Sequence, residues 1–232
     1  MNSKSAPSSA SLSFKEFFEL CYWKIIKLFS KNLNNNSHYK YFYTGNFSIS
    51  EEFYKDKIIL DIGCGPRGSL EWADMAKERI GIDPLADQYL KMGAKGHKMS
   101  YVKAYGENIP FADNYFDVIC SFNSLDHVEN MELACKEIKR TLKNNGLFLL
   151  LVDIHTLPTL TEPQTMNWSF VREYFPEFEI LEEKHLERTE TYKIYTNVRN
   201  SKAVEDNAVR GVLTTKLRKR TLEEIKDLMI DY

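Results

Sequence analysis

From Lys57 to Asp153 the chain alternates short apolar runs with stretches of helical spacing, and nothing else in it constrains the fold as strongly. Such alternation is the mark of strand and helix units wound around a parallel sheet. Strands are expected near 57–62, 79–83, 99–103, 116–122 and 147–153, with helices at 69–77, 86–92 and 128–143 between them. In the last helix Val128, Met131, Ala134, Cys135, Ile138 and Leu142 share one face, and Gly146 follows its end. Past Pro163 come a short helix and two strand-like runs, FEILEEKHL and TYKIYTNV, joined across 187–190 as a hairpin. A polar tail from Val198 carries KLRKR at 216–220 and ends in a helical stretch near 221–230.

Composition narrows the class. At 232 residues the chain has room for one large domain, or one with arms. Its 31 basic residues nearly balance 33 acidic ones, which argues against a nucleic-acid binder. Cys21, Cys64, Cys120 and Cys135 form no CxxC pair and no Cys/His metal spacing, so they read as reduced thiols of a cytoplasmic protein without a metal site. Residues 1–12 are small and polar and are expected to be disordered. From Phe14 to Phe29 the residues Phe14, Phe17, Phe18, Cys21, Ile25, Leu28 and Phe29 recur at helical spacing, which predicts an amphipathic helix. Lys15, Glu16, Glu19, Lys24 and Lys27 interrupt it, so neither a membrane span nor a secretory signal is expected. The aromatic stretch 39–54 then leads into the first strand.

Three segments carry chemistry. In KIILDIGCGPRGSLEWAD, residues 57–74, a strand ends in a turn with glycines at 63, 65 and 68, where backbone without side chains can approach a ligand closely. Asp61 stands two positions before Gly63; a carboxylate there repels a pyrophosphate and favours a cationic ammonium or sulfonium. In ERIGIDPL a short strand delivers Asp83 to its carboxyl end, at the spacing from which an acid meets a ribose diol. The third segment, AYGENIPFADNYFDVICSFNSLDHVEN, opens after its strand into Asn123, Ser124, Asp126 and His127.

In this order LDIGCGPRG, IGIDP and GENIPFADNYFDVI resemble the class I S-adenosylmethionine-dependent methyltransferases of the small-molecule type, over about residues 55–155. The resemblance implies a Rossmann-like, seven-stranded, mostly parallel sheet with an antiparallel last strand and helices on both faces, here with an N-terminal helical arm. The implied partition is a disordered 1–12, an arm and lid over 13–54, a core over 55–198 and a tail with a helix over 199–232. S-adenosylmethionine would lie with its methionine part against Gly63, Cys64 and Gly65 and its ammonium toward Asp61. Asp83 would accept the ribose hydroxyls, Pro84 would pack near the adenine, the backbone of Gly106 and Glu107 would reach the adenine edge, and Asn123 would flank the methyl. Tyr105 departs from the pattern, since many relatives carry Asp there.

His127, held by Asp126, is a candidate general base for an acceptor hydroxyl, and His155 after the fifth strand is a second. A helix cap or a packed loop residue is the alternative for both. The helix and the stretch HYKYFYTGNF are expected to close over the cleft, with Tyr41, Tyr43 or Phe47 on substrate. The alternatives are an extra helix on the core, or an amphipathic helix on a membrane or partner. KLRKR reads as a solvated basic stretch or a receiver for a phosphorylated acceptor. The expected activity is methylation of a small polar acceptor, namely O-methylation of a sugar, glycan precursor or secondary metabolite, with a homodimer left open. The rivals are an NAD-dependent oxidoreductase and a non-catalytic binding module of the same fold.

Overall fold

A computed structural model describes residues 12–30, 33–34, 36–155, 157, 163–189, 194–200, 202–205 and 208–230 of the chain. Its strands are β1 (Ile58–Ile62), β2 (Glu78–Asp83), β3 (Ser100–Lys103), β4 (Phe116–Phe122), β5 (Leu142–Ile154), β6 (Phe178–Leu186) and β7 (Gly211–Lys219). They make one sheet in the order β3-β2-β1-β4-β5-β7-β6, parallel from β3 to β5, with β7 antiparallel to both its neighbours. This is the Rossmann-like sheet expected above.

Both faces are covered, which is why β1 is buried at every residue. On one face Leu60, Ile62, Ile119, Phe148 and Leu150 meet α4 (Met131–Thr141) and the aromatic pair Phe170 and Phe175. On the other, Ile59, Val118, Leu149 and Leu151 meet Phe42, Tyr43, Phe47 and Tyr54. α4 starts where Asn130 accepts the backbone N–H of Leu133 at 3.0 Å, an N-cap that satisfies one orphan donor. The short helices are α2 (Lys40–Tyr43), α3 (Ala86–Lys91), α5 (Phe170–Tyr174) and α6 (Ile194–Asn200); α1 (Phe14–Ser30) opens the described chain and α7 (Leu222–Ile230) closes it.

Three sequence expectations are corrected. Residues 69–77 form turns instead of a helix, with i→i−3 bonds from Glu71, Ala73 and Ala76. Glu71 uses its carboxylate to accept the backbone N–H groups of Lys98 and Met99, both at 2.8 Å, and so ties the segment to the loop before β3. The run TYKIYTNV is not a strand over its described part: Ile194 and Val198, four apart, bury one face of α6, while 190–193 lie outside the described residues. The partner of β6 is β7, taken from the supposed tail. Its charge hid it: Lys216 pairs with Glu182, Arg218 with Glu179 and Glu224, and Lys219 donates to the carbonyls of Lys139 and Leu142. KLRKR is thus largely an ion-paired strand end, and the core extends through Lys219. The expected disorder of 1–12 falls, but for Leu12, outside the described residues.

Candidate functional site

A cavity of about 140 Å³ opens at the carboxyl ends of the parallel strands. Its floor is Ile62, Gly63, Ile82, Asp83 and Pro84; its walls are Ala104 to Glu107 and Asn123, Ser124 and His127 to Glu129; its roof is Ser13, just before α1, with Lys15, Glu16 and Glu19 of α1. β1, β2 and β4 end at one level because they are in parallel register, with Ile62 opposite both Ile82 and Ser121. Residues 61–65, 83–84, 104–107 and 123–129 are therefore brought together by the sheet itself.

The glycine turn is forced. Gly63, Gly65 and Gly68 all have positive φ, and a Cβ at Gly63 would lie 2.3 Å from the Cβ of Ser124. Ser124 itself donates to the Ile62 carbonyl at 2.6 Å, so the first turn and the loop after β4 are one unit. Cys64 points down, away from the cavity: a Cβ at Gly81 would meet its Sγ at 2.5 Å, and burial holds its thiol pKa well above the ordinary range. It is a packed thiol.

Asp83 is the centre of the site. Only 3 % exposed, it accepts the N–H of Gly65 at 3.1 Å and of Leu85 at 2.9 Å, one on each oxygen. Burial first, and the charge of Glu19 second, push its pKa up to about 7. Each carboxylate oxygen keeps a lone pair unspent by these bonds. Asp61 lies deeper and does not line the cavity: it accepts the hydroxyls of Tyr43, at 2.8 Å, and Ser69, while burial drives its pKa up to about 6 against those two bonds.

Of the other residues expected at the site, Pro84, Gly106, Glu107 and Asn123 line the cavity. Glu107 spends its carboxylate on the backbone N–H groups of Glu129, at 2.7 Å, and Asn130, at 3.1 Å, bracing the wall. His127 lines the cavity with its Nε2 3.9 Å from the fully buried Asp126 carboxylate. His155 is elsewhere; it is buried against the Leu157 carbonyl at 2.9 Å, and most of the loop beyond it lies outside the described residues.

The lid is corrected in its residues. Tyr43 and Phe47 are core side chains, against Trp72 and Phe122, and Tyr41 stands 38 % exposed under the Arg199 guanidinium. None of the three faces the cavity. α1 is what covers it. Lys15 donates to the His127 carbonyl, Glu16 accepts from Tyr105 at 2.7 Å, Glu19 accepts from Tyr89 at 3.0 Å, and Trp23 touches the position of a Cβ on Gly65 at 3.5 Å. Tyr105, noted in the sequence as a departure from the pattern, takes its place in the wall; Lys15, Glu16 and Glu19 are the lining residues that motif reading missed. Their one signal was position on the polar side of an amphipathic helix, which by itself predicts solvent.

Among the described residues no cluster of His, Cys, Asp and Glu could hold a metal ion. The lining matches an adenosine group in kind: an acid with spare acceptors at the end of β2, a floor with no side chain at Gly63 and a wall with none at Gly106.

Comparison with known proteins gives the same direction. A family model described as "Methyltransferase domain" matches residues 60–150. The chain is 29 % identical over 143 residues to an uncharacterized protein of Methanocaldococcus jannaschii, covering 61 % of this chain and 52 % of that one. It is 36 % identical over 89 residues to a ubiquinone/menaquinone biosynthesis C-methyltransferase of Stutzerimonas stutzeri, covering 38 % and 33 %. With a sterol 4-C-methyltransferase of Caenorhabditis elegans it shares 32 % over 107 residues, covering 43 % and 32 %. The chain thus spans about a third to a half of the length of these relatives. Among solved structures, an S-adenosylmethionine-dependent methyltransferase from Thermotoga maritima superposes with a TM-score of 0.55 at 15 % identity, over 88 % of this chain and 97 % of that one. The YcgJ protein of Bacillus subtilis gives 0.52 at 17 %, over 74 % and 96 %. At such identities these two structures speak for the fold.

Proposed function

We propose, from the premise that this chain belongs to the class I S-adenosylmethionine-dependent methyltransferases, that it methylates a small-molecule acceptor in the cleft beneath α1. The observation that carries the reading is Asp83, a buried carboxylate at the end of β2 with one lone pair left on each oxygen, as a vicinal diol requires. Bound there, S-adenosylmethionine would supply a methyl group on a sulfonium. The chain's own part is to hold the ribose at Asp83, exclude water with α1 and align the acceptor, which for so downhill a transfer is most of the task. His127, backed by Asp126 at 3.9 Å, is the group we assign to take a proton from an acceptor hydroxyl. O-methylation of a sugar, glycan precursor or secondary metabolite is supported by the polar rim of Lys15, Glu107, His127 and Glu129. A second reading, a sterol- or quinone-like acceptor as in two of the relatives, is supported by the apolar outer face of α1.

The oxidoreductase rival needs a helix N-terminus for a pyrophosphate, and turns follow the glycines instead, with Asp61 beneath them. Calorimetric titration with S-adenosylmethionine, S-adenosylhomocysteine and NAD tests the proposal. Both sulfur ligands are expected to bind, NAD is not, and Asp83→Ala is expected to lose at least about tenfold in affinity with the loss of two hydroxyl bonds to a charged acceptor. NAD binding alone would overturn the reading, and silence from every ligand in a folded protein would favour a binding module.

A further inference from the structure

α1 is inside out. Its apolar positions, Phe14, Phe17, Phe18, Cys21, Tyr22, Ile25, Leu28 and Phe29, follow the spacing that normally faces a core, and at 3.6 residues per turn they span an arc of about 140°. Yet the large ones among them are exposed, Phe29 by 85 %, Leu28 by 80 % and Phe14 by 70 %. The face turned to the body is the one carrying Glu16, Glu19 and Trp23. Leu20 is the helix's one buried residue among those described. Elsewhere on the described surface exposed large apolar side chains are scattered, whereas here seven stand on one helix.

The charges are sorted as well. Projected down the axis, Lys24 borders the apolar arc about 20° beyond it, while Lys15 at the other border is tied back to the His127 carbonyl and Lys27 lies on the far side. The two acids of the helix point away from the arc and are tied to the body by the hydroxyls of Tyr105 and Tyr89. An apolar arc with the exposed Lys24 at its border and the acids kept behind it is complementary to the headgroup and acyl boundary of an anionic bilayer. The ridge is convex and one helix wide, so a second copy would meet it ridge against ridge and cover only the seam between them. A bilayer takes such a ridge by immersing it. The helix is about 25 Å long, less than the hydrocarbon thickness, and no described helix is long and apolar enough to cross a membrane, so the mode is in-plane.

We propose that α1 docks this protein on an anionic lipid surface through Phe14, Phe17, Phe18, Tyr22, Ile25, Leu28 and Phe29. Its inner face roofs the cavity, so docking sets the cleft mouth at the lipid boundary.

Co-sedimentation of the full chain with vesicles tests this with no cofactor or acceptor present, so it stands or falls apart from the methyltransferase reading. The probes are vesicles of equimolar phosphatidylcholine and phosphatidylglycerol, and of phosphatidylcholine alone. The wild type is expected to pellet with the first. Leu28→Asp with Phe29→Asp is expected to lower partitioning at least about tenfold, and Lys24→Glu about fivefold on the anionic vesicles only. Both variants should keep the wild-type Tm, since these side chains reach into solvent. A wild type left in the supernatant overturns the proposal. So does one that sediments as a dimer, dissociates in the double variant and ignores vesicles. Equal binding to both vesicle types, insensitive to salt, overturns the anionic assignment.

Discussion

Asp83 makes the stability of this protein run against its function, and the size of the conflict can be worked out. Its carboxyl sits at about 7 in the folded chain against an ordinary 3.8. A carboxyl raised on folding holds its proton in the folded state alone across that window. Its contribution to stability is complete below about pH 4 and is lost as pH rises through about 7. At 1.36 kcal/mol for each pH unit the loss comes to about 4 kcal/mol. Asp83→Asn cannot ionise and escapes it. The amide turns one N–H donor, of Gly65 or of Leu85, against its own NH₂ group, at about 1 kcal/mol. The variant is therefore expected to be about 1 kcal/mol less stable than wild type at pH 4 and about 3 kcal/mol more stable at pH 8, with the crossing between. Urea unfolding at a series of pH values reads this directly. Two ribose hydroxyls donating to Asp83 favour its ionised form, so S-adenosylhomocysteine should bind more tightly as pH rises through 7 and expel a proton, visible as a buffer-dependent heat. A stability difference that stays flat, or that favours wild type at pH 8, would refute the argument that burial and Glu19 hold this proton in place.

Two further outcomes follow from the same region. Tyr43→Phe removes one of the two hydroxyls on buried Asp61 and is expected to destabilise by about 1–3 kcal/mol at pH 8, with a smaller loss at pH 5 where the carboxyl is protonated, checked by urea unfolding at both. Gly63→Ala places a methyl 2.3 Å from the Ser124 side chain at a φ of 68°, so it should lose S-adenosylhomocysteine binding in calorimetry and cost more than 1 kcal/mol of stability.

The strands were legible wherever their burial was two-sided. IILDI, ERIGID and FDVICSF lie in the parallel half of the sheet, and continuous apolar runs are what such positions need. β7 was not legible, because GVLTTKLRK neutralises its cations across the strand and along the chain, and pairing at that distance leaves no local pattern. The expected site residues Gly63, Asp83, Pro84, Gly106, Glu107 and Asn123 line one cavity because strand ends in parallel register put them together by topology. Asp61 was found as a residue but not in its partners, since Tyr43 comes from a segment that spacing alone assigns to a lid. His155 stands at a neighbouring strand end, that of β5, and its Nδ1 meets the Leu157 carbonyl outside the cavity lining.

The periodicity of α1 teaches where such reading stops. Spacing shows that a helix has two unlike faces; which one meets the body depends on what the body offers. At the carboxyl end of this sheet the body offers polar groups, the Tyr105 and Tyr89 hydroxyls and the His127 carbonyl, and it is the acids and Lys15 of the helix that answer them. An apolar stripe buried on that cleft would leave those groups without partners and would seal the floor around Asp83 with side chains that no ribose could displace cheaply. A polar roof over a polar cleft leaves the stripe outward. The cost of exposing four phenylalanines is then recovered only when another apolar medium receives them, so the orientation that suits the cleft is the same one that calls for a lipid surface.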